Sequence, residues 1–285
     1  MTEKFNVGYI GLGSIGKPIA KHLVCDQFNA HVYDIHRPAV AELAALGARG
    51  CDSPAQLARA CAHIGICVLE ASQVEAVLYG ADGLLENAAS GAIIAIHSTV
   101  TRADVLKWAG AGAARGIKVI DAPITGGVRS AEAASLCYMV GGDSATFATA
   151  SRVFETSAEK IIHTGELGTG IILKLCNNLI TNAEFMAMSE ATRLAEAGGL
   201  SAELLREVGK SNGVINETMY NFINNRNALA ATCSAARMEE IFGPPGKLGE
   251  KDLLCAIQSA RELGVELPYT QRLQGDIYNL FLNKV

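Results

Sequence analysis

Lys174 stands among apolar neighbours, Ile171, Ile172, Leu173 and Leu175, in a segment whose other polar positions include Asn177, Asn178 and Asn182. In a helix, positions 174, 178 and 182 follow one another at i, i+4 and line one face. Desolvation of a lysine so flanked would lower its pKa towards the range useful for proton transfer. The pattern equally suits a lysine whose stem packs on the core while its ammonium reaches water. On the residues alone, both readings stay open.

A second chemical feature lies near the start of the chain. The turn Gly11-Leu12-Gly13-Ser14-Ile15-Gly16 follows an apolar run at 5–10 and opens a helical pattern. Gly11 allows a tight turn, Gly13 a close approach of backbone to pyrophosphate, and Gly16 close packing of helix on strand. A helix N-terminus there offers N–H groups and a favourable dipole to phosphate. An acid, Asp34, ends the next apolar run roughly 20 residues on, as a dinucleotide fold requires. A carboxylate in that place accepts from both ribose hydroxyls and repels a 2′-phosphate, which favours NAD over NADP. His36-Arg37 pulls the other way, since an arginine nearby could hold that phosphate.

These groups need elements to hold them. Apolar runs at 5–10, 30–33, 64–69, 92–96 and 117–120 read as strands, with two more at 136–140 and 160–163. Helical patterns lie between them, at 15–25, 38–45, 54–60, 73–79, 102–114 and 144–156, with Ser53 and Thr101 as N-caps. Near-continuous apolar strands alternating with helices predict a parallel, doubly wound sheet of the Rossmann type. After about residue 165 strands disappear. A long helix is expected over 169–197, ending at Gly198-Gly199, then helices at 202–211, 246–263 and 269–281 and a poorly defined stretch at 216–225. The expectation is an α/β dinucleotide-binding domain at 1–165 and an all-α domain for substrate and oligomerisation at 166–285, joined by the long helix.

Composition narrows the class. The 285 residues are 49% hydrophobic and 19% charged with a formal net charge of −5, and no Lys/Arg run suggests a nucleic-acid surface. The apolar stretch at 161–176 is broken by His163, Glu166, Lys174 and glycines, so no membrane span is expected. Met1-Thr2-Glu3-Lys4 has no signal-peptide core, and the eight cysteines are scattered without CxxC pairs or clustered histidines. That reads as reduced thiols in a cytoplasmic protein without a metal site. Long, Ala-rich helices in about 120 residues bury too little surface alone, which predicts a homodimer or homotetramer.

Four motifs in order resemble the β-hydroxyacid dehydrogenases, the 3-hydroxyisobutyrate dehydrogenase-like relatives of 6-phosphogluconate dehydrogenase. They are Gly11 to Gly16; Asp121-Ala122-Pro123-Ile124-Thr125-Gly126-Gly127; Gly170 with Lys174 and Asn177-Asn178; and Lys251-Asp252-Leu253. The resemblance implies Lys174 as catalytic general acid/base and Asn178 as a substrate-holding residue. Thr125, Gly126 and Gly127 become the anchor of a substrate carboxylate, a role that a hydroxyl and unobstructed N–H donors suit. Thr99 would lie near the nicotinamide ribose, and Lys251 would approach the cofactor from the helical domain. The implied reaction is hydride transfer between a nicotinamide cofactor and a small β-hydroxy acid, or the matching aldehyde or keto acid. An imine reductase on the same scaffold, and a catalytically silent dinucleotide-binding protein, are the alternatives; Lys174 counts against both.

The chain also departs from the family pattern. Val128-Arg129-Ser130-Ala131 and Ala134-Ser135 replace the usual Gly-Ala and Gly-Thr, which leaves the substrate open near Arg129 and Ser130. Val68-Leu69-Glu70-Ala71 replaces the usual loop after the third long strand, and His97, beside a buried strand, reads as structural.

Overall fold

The structure is a computed structural model that describes residues 4–284; residues 1–3, part of the segment without a signal-peptide core, and residue 285 lie outside it. The chain folds as two compact units, with the division between Lys174 and Leu175.

In the first unit the elements are β1 Phe5–Ile10, α1 Gly16–His22, β2 Phe28–Tyr33, α2 Arg37–Ala45, β3 Arg49–Gly50, α3 Pro54–Ala60, β4 His63–Ile66, α4 Ala71–Tyr79, α5 Leu84–Asn87, β5 Ile93–Ile96 and α6 Arg102–Ala113. Then come β6 Lys118–Asp121, β7 Ile124–Thr125, α7 Gly127–Glu132, β8 Leu136–Gly141, α8 Ser144–Phe154, β9 Ala158–Gly165 and the start of α9 Thr169–Ala197. The strands form one sheet in the order β3-β2-β1-β4-β5-β6-β8-β7, with β9 on β8. From β3 to β6 all pairs are parallel, and the order reverses between β1 and β4, the switch point at which α/β sheets bind ligands. Strands β6 and β7 instead meet β8 antiparallel.

The expected caps form: Ser53 Oγ accepts from Gln56 N, and Thr101 makes a reciprocal capping box with Asp104. Strand β4 stops at Ile66 rather than reaching 69, because Val68 N gives its hydrogen to Ser98 Oγ at 2.9 Å instead of a neighbouring strand. His97 is structural, as expected. It is 4% exposed, its Nδ1 donates to Ala122 O at 2.8 Å, and its ring stacks on Tyr9.

The second unit holds the rest of α9 with α10 Ala202–Asn212, α11 Glu217–Thr232, α12 Ala235–Glu262 and α13 Pro268–Phe281. Phe185, Ile223, Leu253 and Ile277 centre its core. Two expectations change here. Helix α12 begins eleven residues earlier than 246 and runs through Pro244 and Pro245, and α11 extends to Thr232. Proline normally ends a helix because it lacks an N–H and clashes with the preceding turn. Here Met238 and Phe242, both 3% exposed, pack with Leu282, and that burial outweighs the missing hydrogen bonds. The short pieces β3, β7, α5 and α7 carry no periodic signal, and the sequence gives no expectation of them.

Candidate active site

The glycine turn behaves as its spacing implies. A Cβ on Gly11 would lie 2.1 Å from Cys67 O and one on Gly16 would lie 1.9 Å from Gly11 O, so neither position tolerates a side chain. At Gly13 a Cβ would meet nothing within 4 Å, leaving the exposed backbone open to a ligand. The turn is pinned to the acid that follows it: Leu12 N donates to Asp34 Oδ2 at 2.5 Å and His36 N donates to Oδ1 at 2.7 Å. Each carboxylate oxygen keeps a further acceptor site.

Gly13, Ser14, Ile15 and Asp34 line a cavity of about 550 Å³, with Val68 and Leu69 on another wall. Ile35 and Leu69, at its rim, are 84% and 68% exposed, an apolar pair suited to a flat ring. The Val68-Leu69 segment, set apart by its departure from the family pattern, thus does face this cavity. Helix α1 has only seven residues, so the turn's own N–H groups matter more than a macrodipole. These features fit a nicotinamide dinucleotide.

Arg37 does not turn its guanidinium into this cavity's lining. Its Nη1 and Nη2 donate to Cys51 O at 2.9 Å and Asp52 O at 2.7 Å, and the group lies 5.3 Å from the Tyr33 ring centroid. Thr99, half-buried, follows β5.

The Thr125-Gly126-Gly127 turn joins β7 to α7. Gly126 and Gly127 take φ +131° and +71°, values that disfavour other residues, and a Cβ on Gly127 would meet nothing within 4 Å. Ser130 closes the turn from below, since a Cβ on Gly126 would lie 2.6 Å from its Cβ. Arg129 is exposed on α7. Ala134 holds φ +54°, at a place where the family pattern carries glycine, at a cost of about 1 kcal/mol.

Asp121 explains how Lys174 is held. This carboxylate is 1% exposed and accepts from Gly168 N at 2.8 Å and Ile171 N at 2.7 Å, capping the first turn of α9. Burial pushes its pKa up, and those backbone donors pull it back. Gly170 keeps the turn close, since a Cβ there would lie 2.4 Å from Met139 O. One turn beyond the cap comes Lys174, 9% exposed between the buried Ile171 and Leu175.

A single thiol ties the lysine to the turn. Cys137 is the register partner of Thr125, and burial pushes its thiol up while the Lys160 and Lys174 ammonium groups pull it back. Sequence reasoning gives Asp121 no role in the site and misses both Cys137 and Lys160. Asp121 is visible in its motif; the other two become visible only through strand register.

Within the helical unit, Asn178 Nδ2 donates to Asp252 Oδ2 at 2.6 Å, and Lys251 Nζ lies 3.0 Å from Asp252 Oδ1. Asn182 Nδ2 donates to Asn178 O at 2.8 Å. Asp252, 6% exposed, therefore orients the asparagine and lies beside the lysine singled out by sequence. Among the described residues no cluster suits a metal ion, and no helix is long and apolar enough to cross a membrane.

Residues 6–165 match the family model of the NAD-binding domain of 6-phosphogluconate dehydrogenase. The chain is 32% identical over 273 residues to a 2-(hydroxymethyl)glutarate dehydrogenase of Eubacterium barkeri, covering 95% of this chain and 87% of that protein. It is 36% identical over 206 residues to a 3-hydroxyisobutyrate dehydrogenase of Pseudomonas aeruginosa, covering 72% and 69%. Among solved structures, the 3-hydroxyisobutyrate dehydrogenase of Mycobacterium tuberculosis with L-serine superposes with a TM-score of 0.81 at 26% identity, covering 99% of this chain and 94% of that one. An imine reductase of Streptomyces aurantiacus, at 17% identity and a TM-score of 0.67, covering 96% of this chain and 93% of that one, shares the fold alone. With its dinucleotide cavity and ordered motifs, this chain belongs to the β-hydroxyacid dehydrogenase family, whose members include the 3-hydroxyisobutyrate dehydrogenases.

Proposed function

We propose that this hydroxyacid dehydrogenase oxidises a small β-hydroxy acid, or reduces the matching aldehyde or keto acid, with Lys174 as general acid/base. Residues 1–165 are its dinucleotide domain and 166–285 its substrate and oligomerisation domain. The observation that carries the reading is the placing of Lys174, buried one turn beyond the Asp121-capped start of α9, while Thr125 ends β7 in the same unit. A carboxylate anchor and a proton-transfer group then serve one small molecule, as acid–base catalysis requires.

When bound, the nicotinamide supplies a hydride acceptor at its C4. In the oxidative direction the C–H bond of the hydroxyl-bearing carbon breaks, its electron pair leaves as hydride, and a C=O bond forms. Lys174 Nζ takes the hydroxyl proton. The Thr125 hydroxyl and the N–H groups of Gly126 and Gly127 hold the carboxylate, and Asn178, oriented by Asp252, helps hold the substrate. Gly11 to Gly16, Asp34, Thr99 and Lys251 are the residues assigned to the cofactor.

NAD is the preferred cofactor, because Asp34 lines the cavity while Arg37 is spent on Cys51 O and Asp52 O. The expected result is tighter binding of NAD than of NADP by the wild type, with Asp34→Ala losing about tenfold for NAD and little for NADP. Tighter NADP binding by the wild type would overturn the preference.

The helical domain makes a homodimer or homotetramer. Leu204 and Val208, one turn apart on α10, are 49% and 62% exposed, an apolar stripe that a second copy would cover. Light scattering is expected to give at least twice the chain mass; a monomer would refute the assembly. The scattered free thiols suit a cytoplasmic location.

A further inference from the structure

Lys160 has no place in the reaction just described, yet the sheet brings it to the substrate anchor. Thr125 of β7 lies opposite Cys137 of β8, and Cys137 lies opposite Lys160 of β9. The next row, Ile124, Tyr138 and Ile161, belongs to the hydrophobic core. Side chains alternate along strands and agree across them, so Thr125, Cys137 and Lys160 share the other face. Two strand spacings, about 10 Å, separate the first and third backbones, a gap that a lysine's four-carbon stem can bridge in large part.

The register itself is built for this. Between Leu136↔Ala158 and Cys137↔Lys160 the pairing slips by one residue, a bulge that adds Glu159 to β9. Without it, Lys160 would face the core side. Bulges re-aim side chains in this way and gather beside active sites. Burial pushes the Cys137 thiol up, and the charges of Lys160 and Lys174 pull it back. Among the described residues no carboxylate lies within ion-pair distance of Lys160, although Glu132 on α7 and the adjacent Glu159 on β9 are exposed.

A single substrate carboxylate is already served by the Thr125–Gly127 turn. We propose that Lys160 is a specificity residue that binds a second carboxylate, making the preferred substrate a dicarboxylic β-hydroxy acid. This rests on the assignment of Thr125 and Lys174 to the reaction. The competing account is an edge-strand lysine that merely discourages pairing with another chain.

A matched pair of compounds separates the two: 2-(hydroxymethyl)glutarate, and 2-(hydroxymethyl)pentanoate, in which a methyl group replaces the distal carboxylate. The wild type is expected to favour the diacid in kcat/KM by about twofold to fivefold, the range of an exposed ion pair, and mainly through KM. Lys160→Gln should abolish the preference and leave the monoacid rate unchanged, and Lys160→Glu should invert it. Arg129→Gln, on the adjacent helix, should leave it intact. Equal use of the two compounds by the wild type would overturn the proposal alone. So would a preference that survives Lys160→Gln or disappears in Arg129→Gln. Turnover of neither compound would overturn the underlying dehydrogenase assignment and this inference with it.

Discussion

Lys174→Ala is expected to lower kcat by about a thousandfold, the range that a positioned general acid/base contributes. NAD affinity should change little, because the cofactor cavity is built from residues 10 to 77 and does not include Lys174. The helix should also survive the change, since its first turn is held by Asp121 rather than by the lysine. Lys174→Arg should not restore the rate: guanidinium stays protonated and cannot accept the hydroxyl proton. Steady-state kinetics beside a direct NAD titration checks this. A variant that keeps kcat, or one whose defect lies wholly in NAD affinity, would remove Lys174 from the chemistry.

Acid should destabilise the fold well before its carboxylates titrate. Burial lowers the pKa of His63 to about 3, with the charge of His97 adding to the shift. The same cause lowers His97 to about 4, against the opposing hydrogen bond to Ala122 O. Neither ring nitrogen of His63 meets a hydrogen-bond partner among the described residues, and Phe154 packs edge-on against both rings. In the unfolded chain both imidazoles take a proton near pH 6.5. The folded state therefore binds fewer protons between pH 6.5 and about 4, and its stability falls as pH falls. With two groups engaged the slope approaches about 3 kcal/mol per pH unit, and the loss reaches on the order of 5 kcal/mol by pH 4. That is comparable to the whole stability of a typical domain, roughly 5–15 kcal/mol. Asp121, whose carboxyl burial pushes up, works in the opposite direction. Glu42, Glu75 and Asp143, held low by their partners, lose their contributions only at lower pH. Urea unfolding as a function of pH is the measurement. His63→Leu should flatten the curve between pH 6.5 and 4 while costing little at pH 7. An unchanged slope in that variant would contradict the assignment.

The parts of the candidate site that are legible in the sequence are those whose logic is local. Gly11 to Gly16 and Asp34 sit at the ends of two adjacent parallel strands, so spacing alone brings them together. Lys174, Asn178 and Asn182 share a face because one helix carries them. What sequence could not give was register. Strand β7 has two residues and no periodic signal, yet its pairing with β8 sets Thr125 beside Cys137. A bulge of one residue decides which side Lys160 takes, and one-residue slips leave no mark in composition. Asp121 is legible as part of a motif but not as the cap of α9, whose first turn lies far along the chain at Gly168 and Ile171. Pro244 and Pro245 actively mislead, because local backbone chemistry argues for a break where tertiary packing keeps the helix going.

The central claim is hydride transfer between the hydroxyl-bearing carbon of a β-hydroxy acid and nicotinamide. A β-hydroxy acid carrying deuterium on that carbon, incubated with the enzyme and NAD, tests it directly. Mass spectrometry of the cofactor should find reduced nicotinamide carrying the deuterium, with a slower rate than for the protonated acid if hydride transfer limits turnover. Reduced cofactor without deuterium, or NAD that binds and is never reduced by any acid of this class, would contradict it.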